Sequence, residues 1–438
     1  MAPLISAGLA RLPRVGGAAR DGLAGLVGAG VGAGAQFLTV VLVTRGTDRQ
    51  TAGAFFTATA LCLTVAGVLR LDAGNGLVHA IAGTGACGHD RARGQVRAAL
   101  APVAALSVAV GTVLFACLSD PAFRVLAVAL PAVVCADVLV SATRGFGMML
   151  PTLLLDGLLQ PVAQLVLVSL AVASGVRTVP VLVAAWALPY VPVLCLAALW
   201  LRGRLPHTPY AGPYALEAAR ELWRHTWPRS AAAAIQAVFQ RLDVMVVAVL
   251  AGPEEAAVYT AATRFKVVGQ LVNRGLAQAA QPRLVEALTA GNLGRARALY
   301  QSATTWLVAL TWPLWLGYAL CAPWLLGLLG DGYASGAAVA LVLAVTMMLA
   351  GACGMVDVVL TAAGYTRSSL ANLVAAITVT TACGVFLTPA YGAAGAALAW
   401  ASGTLVKNLL PLWQIHRRLG LRPFGAHSLG ALRPWRPR

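Results

Sequence analysis

The sequence predicts an all-α, polytopic membrane protein of about twelve transmembrane helices, set out as two six-helix lobes in a parallel pseudo-two-fold repeat. Three observations carry that expectation. The first is composition. Of 438 residues, 59% are hydrophobic and 11% are charged, with a mean hydropathy of +0.78. Soluble domains carry about 25% charged residues. The second is length: apolar runs of about 20 residues recur along the chain, enough to cross a bilayer as helices. The third is self-similarity. Ala52-Gly53-Ala54-Phe55-Phe56-Thr57-Ala58-Thr59 is echoed by Ala256-Ala257-Val258-Tyr259-Thr260-Ala261-Ala262-Thr263. Asp137-Val138-Leu139-Val140-Ser141-Ala142 is echoed by Asp357-Val358-Val359-Leu360-Thr361-Ala362. Each echo occupies the same ordinal helix in its half, and both halves enter from the same side.

The elements follow in order. A tail, 1–21, carries Arg11, Arg14 and Arg20. The apolar stretch 22–44 is longer than a signal-peptide core of about 7–15 residues and is expected as a retained first span. Spans at 53–82, 97–118, 122–147, 151–174 and 178–201 complete an N-terminal lobe, 22–201. A polar linker, 202–228, holds Pro206, Pro209 and Pro213. A helix-like run then places Leu216, Ala219, Trp223 and Trp227 at steps of three or four. That run fits an interfacial amphipathic helix and a plain connector equally well. Spans at 229–250, 256–280, 300–321, 336–363, 367–388 and 391–413 form a C-terminal lobe, 229–413, and a basic tail, 414–438, ends the chain.

Charge orients these spans. With a cytoplasmic N-terminus, the inner segments hold 22 Lys or Arg and the outer loops four. The positive-inside rule then places both termini in the cytoplasm of a cell membrane. The net charge of +17 is thereby accounted for by topology and by contact with membrane lipid. Nucleic acid is not an expected partner, because the bases are dispersed between spans. The outer loops are short and leave no room for a soluble catalytic domain.

Eleven ionisable residues fall inside apolar spans: Asp72, Asp137, Asp156, Asp243 and Asp357, with Arg70, Arg241, Arg264, Lys266, Arg274 and Lys407. Each costs about 2.5–3.5 kcal/mol or more at membrane depth, so such groups face a polar interior and mark a pathway. Helical spacing gathers Thr263, Lys266, Gln270, Asn273, Arg274 and Gln281 on one face of the eighth span, with Arg264 off it. Asp72, Asn75 and His79 align on the second span, and Gln236, Gln240 and Asp243 on the seventh. The bases concentrate in the C-terminal half. Arg241, Arg264, Lys266, Gln270, Asn273, Arg274 and Lys407 are therefore the candidate lining of a cationic, substrate-binding cavity. Asp72, Asp137, Asp156, Asp243 and Asp357 are candidates for coupling or gating. The structural alternative is that these groups pair with one another, Asp243 with a base on the eighth span for example.

Other chemistry is excluded. Gly28-Ala29-Gly30-Val31-Gly32-Ala33-Gly34 follows no strand and sits in an apolar span, where small residues permit close helix packing. No phosphate-loop Gly-Lys-Ser/Thr and no HExxH occurs. The eight cysteines show no CxxC and indicate neither a zinc site nor a disulfide framework. His79 is the one histidine expected to be buried. No metal, cofactor or catalytic residue is expected.

Several stretches resemble one family in order and spacing. They are Val43-Thr44-Arg45-Gly46, Leu71-Asp72-Ala73-Gly74-Asn75-Gly76-Leu77, Asp243 with Ala257-Val258-Tyr259-Thr260-Ala261-Ala262-Thr263-Arg264, and Gln281-Pro282-Arg283-Leu284. Further on come Leu328-Leu329-Gly330-Asp331-Gly332-Tyr333, Ala362-Ala363-Gly364-Tyr365-Thr366 and Pro389-Ala390-Tyr391-Gly392-Ala393-Ala394-Gly395-Ala396-Ala397. Over about residues 22–415 the chain resembles the polysaccharide-transporter, O-antigen flippase-like branch of the multidrug/oligosaccharidyl-lipid/polysaccharide flippase superfamily. The resemblance implies two lobes around a cavity open to one side at a time. It implies outward flipping of a polyprenyl-diphosphate-linked sugar by alternating access, for polysaccharide export, beside polysaccharide-synthesis enzymes as candidate partners. A drug-extruding cation antiporter of the same superfamily and a polytopic glycosyltransferase or polymerase are the rival readings. On the first reading, Lys266→Ala or Arg274→Ala abolishes export and leaves the protein folded.

Overall fold

The computed structural model describes residues 15–83, 89–205, 213–330, 332–426 and 428. Among them the fold is all-α. In chain order the helices are α1 (Val15–Gly46), α2 (Arg49–Leu69), α3 (Ala73–Gly83), α4 (His89–Cys117), α5 (Pro121–Gly145) and α6 (Leu150–Ala173). They continue with α7 (Val179–Ala187), α8 (Tyr190–Arg202), α9 (Pro213–Phe239), α10 (Leu242–Leu250) and α11 (Pro253–Thr263). The last are α12 (Lys266–Thr289), α13 (Leu293–Gly327), α14 (Ala337–Cys353), α15 (Val356–Ala362) and α16 (Thr366–Leu419).

Among the described residues, eight helices are long and apolar enough to cross a membrane, or nine if the bent pair α9–α10 is one span. The protein is thus a multi-pass membrane protein. The spans expected at 367–388 and 391–413 are two helices joined within α16 at a break where Gly392 adopts φ 55° and ψ −134°. The span expected at 256–280 is split between α11 and α12. The linker helix does not stop at 228 but runs on to Phe239, and the chain then bends by 48° into α10.

The chain forms two compact units: unit 1 is Met1–Gly46 with Leu61–Val238, and unit 2 is Thr47–Ala60 with Phe239–Arg438. In unit 1 the small residues do what their spacing predicts. A Cβ on Gly32 would stand 2.6 Å from the Gly157 carbonyl oxygen, so α1 and α6 approach backbone to backbone there. That part of α6, Leu153–Leu159, is a π-helical turn followed directly by Pro161. Such bulges are enriched at functional sites. All of α9 but its last residue belongs to this unit, and the helix is fixed to α4 by the Trp223 indole N–H, which donates to the Ala98 carbonyl at 3.0 Å.

In unit 2 the core is aromatic. Trp315, Tyr259 and Tyr300 are fully buried, and the Tyr318 hydroxyl donates to the Ala262 carbonyl at 2.7 Å. The first echoed pair meets here. Gly53 of α2 lies hard against the Pro253 backbone of α11, and Arg49 pairs with Glu254 at 3.8 Å. Where α16 restarts after Gly392, the Glu255 carboxylate accepts from the Ala393 N–H at 2.7 Å and caps the new helix. The second echoed pair diverges. Asp137 lies within unbroken α5, whereas Asp357 opens α15 just after the break at Gly354. Large apolar side chains such as Leu320, Val249 and Phe386 are exposed, as lipid-facing surfaces require.

Candidate functional site

The buried charges gather at helix breaks. In unit 1 the break lies between α2 and α3. Leu71 (φ 49°) and Asp72 (φ 53°) both adopt left-handed backbone, which is uncommon outside glycine and costs about 1–3 kcal/mol per residue. The turn is held from several sides. The Asp72 carboxylate accepts from Asn75 Nδ2 at 2.6 Å and pairs with Arg229 Nε of α9 at 3.1 Å. The Ser230 hydroxyl donates to the Leu71 carbonyl. Arg70, one residue earlier, pairs with Asp137 of α5. Asp156, on the π-helical turn of α6, lies in the field of Asp137, Arg144 and Arg70. Arg144 donates to the Ser141 hydroxyl at 2.6 Å, and its Nε is buried without a partner. Three candidate acids of the N-terminal half therefore occupy one polar region of unit 1.

In unit 2 two breaks face each other. Arg241 precedes α10, and Arg264 and Phe265 separate α11 from α12. At the second break the Arg264 N–H reaches only to the Ala261 carbonyl, three residues back, so the regular ladder is interrupted. Asp243, in the first turn of α10, joins the breaks. Its Oδ2 accepts from Lys266 Nζ at 3.0 Å and from the Tyr259 hydroxyl at 2.9 Å, and its Oδ1 accepts from the Val244 N–H. Lys266 also stands 4.5 Å over the Trp400 ring. The Arg264 guanidinium lies 5.9 Å over the Phe56 ring, its Nε is buried without a partner, and it feels the like charge of Arg241. Lys407 of α16 lies over Phe239 at 5.6 Å.

This arrangement opposes the local backbone field. A helix N-terminus carries partial positive charge. Lys266 is the first residue of α12 and Arg241 directly precedes α10, so cations sit at two positive helix ends. Asp243 is the acid that answers Lys266, and it accepts three hydrogen bonds. Arg241, Arg264 and Lys266 thus bring positive charge to these two breaks, with Asp243 opposing it.

The remaining expectations fall out as follows. Asn273 is exposed on α12. The side chains of Gln270 and Arg274 lie outside the described residues. The stripe joining Thr263 to Lys266 is interrupted, because the helix breaks between them. Asp357 is exposed and accepts from the Ser369 hydroxyl, away from the other acids. His79, expected to be buried, is exposed, since the turn at Leu71–Asp72 rotates α3 relative to the continuous helix assumed from spacing. Sequence reasoning missed Arg229, Ser230, Tyr259 and Trp400 as partners. Only their positions near apolar spans hinted at a role.

Comparison with solved structures places the fold. A multidrug resistance MATE family transporter of the MOP superfamily, in an inward-facing conformation, superposes with a TM-score of 0.72 at 17% identity, over 90% of this chain and 98% of the other. The chain has the fold of a MOP-superfamily transporter. The lipid II flippase MurJ, in an inward closed conformation, also superposes with a TM-score of 0.72, at 10% identity over 94% of this chain and 90% of that one. A MOP superfamily transporter from Pyrococcus furiosus, described by the reversed polarity of its binding pocket, gives 0.58 at 17% identity over 92% and 95%. Residues 159–338 match a family described as polysaccharide biosynthesis protein. No curated protein matches the chain in sequence. The fold that the resemblance implied is borne out, and it agrees with the all-α expectation.

Proposed function

We propose that this MOP-fold protein is a flippase that moves a lipid-linked oligosaccharide or polysaccharide precursor toward the outer leaflet. The observation that carries the reading is the cluster of Arg241, Arg264 and Lys266 at the breaks before α10 and α12, with Asp243 as the acid among them. Like charges held together in apolar surroundings are mutually destabilising, and a diphosphate between them relieves that. Arg grips phosphate oxygens through two parallel hydrogen bonds. The match of 159–338 to polysaccharide biosynthesis proteins covers α10 to α12 and supports a sugar-linked cargo. The MATE-type neighbours keep drug export as the rival. A cationic cluster disfavours cationic drugs.

No covalent step is involved on this reading. The head group is held at the breaks while the lipid tail stays in the bilayer. A membrane potential, negative inside, favours outward movement of an anion by about 2.3 kcal/mol per charge per 100 mV. The test is a flipping assay in vesicles loaded with a fluorescent polyprenyl-diphosphate oligosaccharide. Transfer that requires the protein and falls when Arg264 is replaced by Ala supports the proposal. Transport of a cationic dye with no movement of the lipid-linked sugar overturns it.

A further inference from the structure

One end of unit 2 is distinct from the charged breaks. The turn between α12 and α13, the start of α16 and its final turns meet there. Arg418 lies 4.5 Å over the Tyr365 ring and donates to the Ser368 hydroxyl, and Arg297 donates to the Gly420 carbonyl. After α16 ends at Gly420 (φ 64°), the chain folds back over the helix ends. Leu421 is fully buried against Leu284, Tyr300 and Ile415, and Gln301 Nε2 donates to the Arg422 carbonyl. The segment after the helix is thus built into the fold.

The surface so formed is basic. Arg297, Arg367, Arg417, Arg418 and Arg422 all expose their side chains. Among the described residues the acids nearby are already engaged: Glu286 pairs with Arg295 at 3.0 Å, and Asp357 accepts from Ser369. Beside this patch, α16 carries a graded stripe. Leu409, Trp413 and Arg417 follow at steps of four on one exposed face, and the Arg417 guanidinium stacks 5.0 Å from the Trp413 ring. Over about 12 Å of helix the surface passes from aliphatic to indole to guanidinium. That is the order of acyl chain, interface and headgroup in a leaflet.

We propose that this end of unit 2 is a binding site for an anionic phospholipid. Its phosphate is gripped by Arg417, Arg418 and Arg297, and its acyl chain lies along Trp413 and Leu409. A free phosphate ion would use the guanidinium groups but would leave the exposed indole and leucine unexplained. A lipid uses both. Arg presents paired donors to phosphate, and stacking on Trp413 and Tyr365 holds two of the guanidinium groups in place.

The test uses the full chain purified in detergent, with thermal unfolding followed after addition of phosphatidylglycerol or phosphatidylcholine. Phosphatidylglycerol is expected to raise the midpoint by about 3 °C more than phosphatidylcholine, and less so at high salt. The triple variant Arg297→Gln, Arg417→Gln, Arg418→Gln is expected to lose that difference, and Trp413→Ala to weaken it. Arg124→Gln, on unit 1, is expected to keep it. Equal shifts with both lipids, the full shift with inorganic phosphate alone, or a full difference in the triple variant each overturns the proposal. Should the triple variant not fold in phosphatidylcholine, Arg417→Gln alone is expected to reduce the difference, and an unchanged one overturns the proposal.

Discussion

The two units break their helices at charged residues, yet they balance those charges differently. In unit 1, Arg70 follows the C-terminus of α2 and Asp72 precedes the N-terminus of α3, so each charge complements the dipole beside it. Each also has a partner of opposite sign, Asp137 for Arg70 and Arg229 for Asp72. In unit 2, Arg241 and Lys266 stand at helix N-termini, where the dipole opposes them; Arg264 caps the C-terminus of α11, where the dipole favours it, and Arg264 and Lys407 rest on aromatic rings. Unit 1 spends backbone strain and gains electrostatic agreement. Unit 2 keeps helical backbone at Arg264 and Phe265 and gathers its cations around one acid, Asp243. Local disagreement of that kind is characteristic of functional sites, and the proposed function assigns the anionic head group to unit 2 on that ground.

The contrast can be broken most sharply at Asp243. Asp243→Ala leaves Lys266 buried and unpaired, and it is expected to destabilise the protein by about 3–5 kcal/mol. Thermal unfolding in detergent measures this, and adding Lys266→Met to Asp243→Ala should recover part of the loss. Lys266→Ala is accordingly expected to impair folding as well as export, unlike the export-only effect that spacing suggested. A smaller stability effect but a large functional one is expected at Arg264. Arg264→Ala should lower flipping in vesicles by about tenfold or more, as loss of a charge-assisted contact implies, while the melting temperature holds or rises. Arg264→Lys, which keeps charge but not the paired donors, should fall between.

In unit 1 the half-exposed pair Arg70–Asp137 is expected to matter less. A double-mutant cycle with Arg70→Ala and Asp137→Ala should give a coupling of about 0.2–1 kcal/mol. A coupling as large as that of Asp243 with Lys266 would erase the distinction between the units. The smallest effect is at Asp48, just before α2, whose carboxylate accepts from Thr51 and is held below its ordinary value of 3.8. The folded pKa is depressed, so this contribution is complete above about pH 4 and is lost as pH falls through the folded value. The protection factor of the Thr51 amide should fall at low pH. Thr51→Ala, which keeps the backbone donor, should remove part of that pH dependence.

Much of this was readable from residue types. Asp72, Asp137 and Asp243 stand out because an ionised group inside an apolar run is rare and must be accounted for. The excess of bases in the C-terminal half was equally plain. The partners were not readable. Arg229 and Ser230 open the span expected at 229–250, and they reach the Leu71–Asp72 turn only because the linker helix runs on through them as α9. Tyr259 belongs to an echoed apolar segment and shows no sign of holding a carboxylate. The break at Arg264–Phe265 carries neither Gly nor Pro, so spacing alone extended one helix through it and placed Thr263 on the face of Lys266.

Composition and hydropathy by themselves determined that this chain is a helical, multi-pass membrane protein, because a backbone in hydrocarbon has to satisfy its hydrogen bonds within each segment. Only the tertiary structure decided where those helices break and which charge answers which. Those outcomes depend on side chains from distant segments, such as Arg229 at Asp72 and Tyr259 at Asp243, and no local pattern encodes such meetings.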